Sequence, residues 1–178
     1  MTSGSAAGWQ ALPMPSPRIG FMQIRPFRNE DATALGRIFH RAVQATPEGE
    51  YSADQRQAWS ARPIPAERYL ARIQAGDHQV YVAVDTNDYP TGFVELQPDG
   101  HIDCFYRDPE HAGSGVGTAL YDHLEDQARR QGITRLWVEA SDAAKRFFLR
   151  QGFGVLERRE IARNGVTLHN WAMEKHLR

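Results

Sequence analysis

The sequence predicts an α/β domain, with one mixed, mostly antiparallel sheet flanked by helices. Three observations carry that reading. Residues 78–85, 91–97 and 101–107 are strand-like runs separated by turn formers, first Asn87, Asp88 and Pro90 and then Pro98-Asp-Gly100, so they should form an antiparallel meander. The last of these runs passes through a glycine-rich turn directly into a segment with helical apolar period. A strand at 135–141, a short helix and two closing strands at 154–163 and 166–173 then complete a mixed sheet.

Residues 1–20 are rich in Ser, Gly, Ala and Pro, and lack both the basic start and the apolar run of a signal peptide. They are expected to be a flexible leader, with 21–178 a single domain; Met22 stands directly before strand-like Gln23 to Arg28, which leaves open an extension from an upstream start. Asn29 can cap a helix that carries Ala32, Leu35, Ile38, Phe39 and Val43 on one face, with Glu30 and Asp31 at the favourable end of its dipole. A second helix starts at Ser52, and residues 66–75 read as a third. After the glycine turn, Val116, Leu120, His123, Leu124 and Ala128 line one helical stripe that Gly132 closes as a C-terminal cap.

Composition narrows the function. At 178 residues and 41% hydrophobic, the chain can bury one sizeable core and is short for two. A net charge of -1 gives no electrostatic case for nucleic acid or an anionic membrane, and no apolar run has transmembrane length. The one cysteine, Cys104, excludes an internal disulfide and fits a cytoplasmic location. Seven histidines lie without metal-ligand spacing, so no metal is expected.

The richest chemistry lies in Asp108-Pro-Glu-His-Ala-Gly-Ser-Gly-Val-Gly117. A strand, a glycine-rich turn and a helix N-terminus in succession build an anion cradle, because the first N–H groups of a helix lack intrahelical partners and carry partial positive charge. The spacing is neither a P-loop nor G-x-G-x-x-G.

This segment resembles the acetyl-CoA-binding motif of the GNAT (GCN5-related N-acetyltransferase) superfamily, Gln/Arg-x-x-Gly-x-Gly/Ala, here Ala112-Gly-Ser-Gly115-Val-Gly117. Leu136 to Ser141 and then Ala144-Lys-Arg-Phe-Phe148-Leu-Arg-Gln-Gly-Phe153 are similar to the family's next strand and helix, and Ile24 to Ala32 to its opening strand and helix. Residues 51–61 and 139–153 look most like a bacterial branch labelled YafP-type. The resemblance implies an acetyl-CoA-dependent N-acetyltransferase that moves an acetyl group to a primary amine of a small molecule or peptide, with the two strands around the glycine turn splayed apart. It further implies acetyl-CoA as co-substrate, held by Phe105, Tyr106, Arg107, Ala112, Gly113, Ser114, Gly115, Val116, Gly117, Thr118, Ser141, Ala144, Phe147 and Phe148. A homodimer is compatible with it. Two alternatives stay open: a CoA-binding or regulatory module with weak catalysis, and a phosphate- or nucleotide-binding domain using the same cradle.

Acyl transfer needs a neutral amine, so a general base is required. Strand alternation places Asp103 on the face of Phe105, away from Cys104 and Tyr106, and lets Glu95 project into the same cleft. Glu139 shares a face with Ser141. Asp103 and Glu95 are the expected base or amine-orienting groups, with Glu139 the third candidate; structural pairing with Arg107, Arg135 or His101 is the competing reading. Three residues depart from the family pattern: Phe148 replaces the tyrosine thought to reprotonate the thiolate, Ser141 replaces an asparagine, and Ala112 replaces Gln/Arg. Water, Ser141 or Tyr106 could stand in as the acid. Residues 40–62, with His40, Glu48, Glu50, Tyr51 and Trp59, are expected to shape an acceptor pocket suited to a cationic amine, although Trp59 in the core and glutamates in solvent is an equally ordinary reading.

Overall fold

The structure, a computed structural model, describes residues 22–178; the leader expected over 1–20 lies outside the described residues. Seven strands form one sheet in the order β1-β2-β3-β4-β5-β7-β6. They are β1 (Gln23–Pro26), β2 (Gln79–Val84), β3 (Pro90–Leu96), β4 (His101–Arg107), β5 (Arg135–Ala140), β6 (Gly154–Arg163) and β7 (Val166–His176). All neighbours pair antiparallel except β4 and β5, which are parallel. The expected meander is β2-β3-β4, and the sheet is mixed and mostly antiparallel as the sequence predicts.

Two apolar layers cover the sheet. On one face α1 (Ala32–Gln44) and α3 (Ala66–Ala75) pack through Leu35, Ile38 and Tyr69 onto Val82 and Phe93. On the other, α4 (Val116–Arg130) and α5 (Asp142–Arg150) pack through Leu120, Leu124 and Phe148 onto Val94, Leu96 and Leu136. The short α2 (Ala53–Trp59) lies against α1 and β7. Its start has a full capping box: Ser52 Oγ accepts from the Gln55 amide, and the Gln55 side chain accepts from the Ser52 amide.

Two local devices fix the helix that carries the glycine turn. At its C-terminus, Gly132 adopts φ +74°, with Gly132 N–H bonding Arg129 O and Ile133 N–H bonding Ala128 O. That is a Schellman closure, as expected for Gly132. At its N-terminus, Gly92 on β3 allows close approach, since a Cβ there would lie 2.8 Å from Val116 Cγ1 and 3.0 Å from the Tyr106 carbonyl. The first turn of α4 therefore sits directly on the sheet beside the end of β4.

Candidate active site

The site begins where the sheet opens. β4 and β5 pair only at His101 with Trp137 and Ile102 with Val138, and beyond these the strands diverge. The divergence starts at a β-bulge, where the β3 partners shift from Leu96–Ile102 to Glu95–Cys104 with Asp103 as the extra residue. A bulge bends its strand and increases the local twist, which swings the end of β4 away from β5. Asp108 N–H donates to Thr91 O at 2.9 Å, so strand alternation turns the backbone groups of Cys104 and Tyr106 toward β3 and those of Phe105 and Arg107 toward the gap. A cleft of about 560 Å³ occupies the opening and extends to both faces of the sheet.

On the α4 side the cleft meets the glycine turn. The Ala119 amide makes the first helical bond, to Gly115 O at 3.0 Å, which leaves the N–H groups of Val116, Gly117 and Thr118 without acceptors inside the helix. Gly115 caps the helix at φ +85°, and a Cβ at Gly113 or Gly115 would meet nothing within 4 Å. Open space at Gly113 and Gly115, before helix N–H groups that lack intrahelical acceptors, suits a phosphate-bearing ligand, so these residues fit CoA. Ser114 Oγ donates to His111 O and shapes the turn. Ala112 and Gly117 line the cleft, as do Ser141, Ala144, Phe147 and Phe148 from the start of α5 and the strand before it. Ser141 caps α5 by accepting from the Ala144 amide, and Phe105 stacks on Phe147 with ring centroids 5.0 Å apart.

On the other face the wall is aromatic. Tyr106 packs edge-on to Phe39 at 4.8 Å, and so faces α1 rather than the glycine turn expected for a cofactor contact. Burial pushes its phenol far above the usual range, which makes it a poor proton donor. Tyr51 stacks near Trp59 at 6.4 Å and donates to His169 O at 2.9 Å; burial, aided by Asp142 and Glu50, pushes its phenol up to about 12. Trp59 is half-buried at the cleft wall, with the Arg163 guanidinium over its ring. Glu50 is tied to Arg146 at 2.5 Å rather than facing solvent.

The three acidic candidates separate. The bulge overturns the face assignment of Asp103: Ile102 joins the α4 layer, Cys104 and Tyr106 the α1 layer, and the Asp103 carboxylate turns to α3, where Arg72 Nη1 donates to it at 2.9 Å. Asp103 nevertheless lines the cleft and stays about a third exposed. Glu95 does not project into the cleft as expected. It is 0% exposed under α3, accepting from Tyr69 Oη at 2.5 Å and from Arg72 Nη2. Glu139 lines the cleft mouth and pairs with Arg159 at 3.1 Å. None of the three pairs with Arg107, Arg135 or His101. Cys104 lies in the same buried cluster, where burial and then the Glu95 charge raise its thiol well above the usual range.

Sequence reasoning missed the α3 residues. Tyr69 and Arg72, three apart on one helix face, hold Glu95 and Asp103, and that spacing was the available signal. Asn170 was missed as well: it is buried on β7, lines the cleft, and its Oδ1 has no hydrogen-bond partner among the described residues.

A family model described as an acetyltransferase (GNAT) domain matches residues 47–175. The chain is 33% identical over 152 residues, 85% of its length and 94% of the relative's, to an uncharacterized N-acetyltransferase, YafP, of Escherichia coli. Its fold matches a GCN5-related N-acetyltransferase of Rhodopseudomonas palustris with a TM-score of 0.78 and 32% identity, covering 96% of this chain and 100% of the other. It also matches yncA of Salmonella typhimurium, solved with acetyl-CoA, with a TM-score of 0.67 and 24% identity over 88% and 94% of the two chains; that likeness shows the fold alone.

Proposed function

We propose that this chain, which belongs to the GNAT acetyltransferase family, transfers acetyl from acetyl-CoA to a primary amine of a small molecule or peptide by direct attack, with Asp103 as general base. The observation that carries the reading is the gap between β4 and β5, flanked on one side by the open glycine turn and on the other by Asp103 and an aromatic wall. When bound, acetyl-CoA supplies a thioester carbonyl open to nucleophilic attack.

The residues divide the remaining work. The N–H groups of Val116, Gly117 and Thr118 hold the diphosphate, with Gly113, Ser114 and Gly115 leaving it room. Backbone groups of Phe105 and Arg107 hold the pantetheine arm, and one N–H polarises the carbonyl; such a donor contributes about 3–4 kcal/mol in other acyl-transfer sites. An alkyl amine has a pKa near about 10.4, so at neutral pH it arrives protonated. Asp103 takes that proton, directly or through one water, and the second proton, lost from nitrogen once the C–N bond forms and the C–S bond breaks, goes to the leaving thiolate. Glu95, removed from the cleft, acts as a positioning residue by fixing Arg72 against Asp103. Glu139 orients the incoming amine at the mouth. Phe148 is fully buried among Phe105 and Phe153 and has no proton to give. A thiol pKa near about 8.5 makes departure without a dedicated acid workable.

An acceptor screen with paired detection of free thiol and acetylated product tests the proposal, spanning polyamines, aminoglycosides, amino acids and peptides. Amine-dependent CoA release with matching N-acetyl product is expected. Acetyl-CoA binding without release on any acceptor would favour the regulatory-module alternative.

A further inference from the structure

We propose that His78, Glu95 and Asp103 form a binding site for one divalent transition-metal ion of the zinc type. His78 stands just before β2, Glu95 is on β3 and Asp103 is the bulge residue of β4, so sheet neighbours bring together ligands that sequence spacing separates. His78 Nδ1 lies 3.5 Å from Glu95 Oε2 and 3.6 Å from Asp103 Oδ2, and the three ligand atoms lie within 4.8 Å of one another. Tetrahedral ligands about 2.0–2.2 Å from a zinc ion stand roughly 3.3–3.6 Å apart, so both histidine edges already have the required length.

A second observation points to the same ion. Glu95 Oε2 and His78 Nδ1 are buried and have no hydrogen-bond partner among the described residues. An orphaned buried polar group costs about 1–3 kcal/mol, and one cation between them satisfies both. The imidazole is held in place by packing: its ring lies so close over Gly76 that a Cβ there would come within 2.3 Å of Cδ2. One ring nitrogen with two carboxylates selects zinc-type ions over Mg²⁺ and Ca²⁺, which take six or more oxygens.

Arg72 is the competing cation. It occupies Glu95 Oε1 and Asp103 Oδ2 but leaves Glu95 Oε2 open, and its charge cancels only one of the two carboxylates. Its side chain is 36% exposed, so it can turn to solvent when an ion takes Asp103. The consequence for activity rests on Asp103 being the base: a bound ion removes that carboxylate from proton transfer, which makes the site inhibitory.

Metal binding is measured on the full chain without a histidine tag, stripped by chelator, with neither acetyl-CoA nor acceptor present. Co²⁺ should bind one per chain with the intense visible absorption of a four-coordinate site, three protein ligands and one water, and Zn²⁺ should displace it. His78→Ala should weaken binding by more than the roughly 10–100-fold lost with an outer-shell partner, with the far-ultraviolet circular dichroism unchanged. Arg72→Gln should tighten it, because the competitor is gone. No four-coordinate spectrum at stoichiometric Co²⁺, or equal binding by His78→Ala, would overturn the site. Zn²⁺ that binds yet leaves acetyl transfer unslowed would keep the site and count against Asp103 as base, so the two readings fail separately.

Discussion

Arg72 and Glu95 form an ion pair in which the carboxylate is wholly buried and the guanidinium reaches out to Asp103 at the cleft. Glu95 is thereby the anchor that fixes the cation beside the proposed base. Removing the carboxylate charge weakens the hydrogen bonds from Tyr69 and Arg72, and because Arg72 is about a third exposed and keeps Asp103, the cost is about 1–3 kcal/mol, short of that for a wholly buried pair. Glu95→Gln should therefore appear first as lost stability in urea unfolding, with the acceptor Michaelis constant little changed. A large rise in that constant at unchanged stability would put Glu95 in the acceptor site instead.

Gly117 offers the clean test of the cradle. Its backbone does not require glycine, and an added Cβ would meet only Phe147 at 3.6 Å and Phe105 at 4.0 Å. Gly117→Glu should fold and should lose the stabilisation by acetyl-CoA, about 2.7 kcal/mol at a hundredfold excess over Kd in the parent. Gly115 is the poorer choice because at φ +85° any side chain is strained, which costs about 1–2 kcal/mol before ligand enters. Thermal shift of Gly117→Glu with and without acetyl-CoA decides the matter; an undiminished shift would remove the phosphate assignment.

Much of this arrangement was legible in the chain. The meander, the glycine turn and Gly132 as a cap were readable because each rests on local chemistry: period-two alternation, the left-handed backbone and the first turn of a helix. Parity counting puts Asp103 on the wrong face because it presumes an unbroken strand, and the bulge at Ile102 and Asp103 adds one residue that no composition signal marks. Glu95 escapes sequence parity for another reason. Its partners Tyr69 and Arg72 sit 26 and 23 residues away, on a helix whose docking face only the folded sheet defines.

Acid stability has a specific source in Glu125. Burial alone would raise its carboxyl, but hydrogen bonds from Lys175, Tyr121 and Arg129 outweigh burial and lower it from 4.5 to about 2. A depressed folded-state value means stability fully present above about pH 4.5 and lost as pH falls toward 2. Glu125→Gln should lower unfolding free energy at pH 7 by on the order of 2–3 kcal/mol, and parent and variant should converge as pH drops through that window. A constant difference across pH in denaturant titrations would show that packing, not charge, accounts for the loss.

Acetyl transfer by Asp103→Asn tests directly whether Asp103 is the general base. The amide keeps the shape of the side chain at the cleft and cannot accept the proton. With any acceptor that the parent uses, the maximal rate should fall by roughly 10²–10⁴-fold, the range typical of a lost general base, while calorimetric acetyl-CoA affinity stays within a few-fold of the parent. The acidic limb of the parent's pH–rate profile should flatten in the variant. Near-parent turnover by a folded Asp103→Asn protein would contradict the account, and loss of that turnover in Glu139→Gln instead would move the base to the mouth of the cleft.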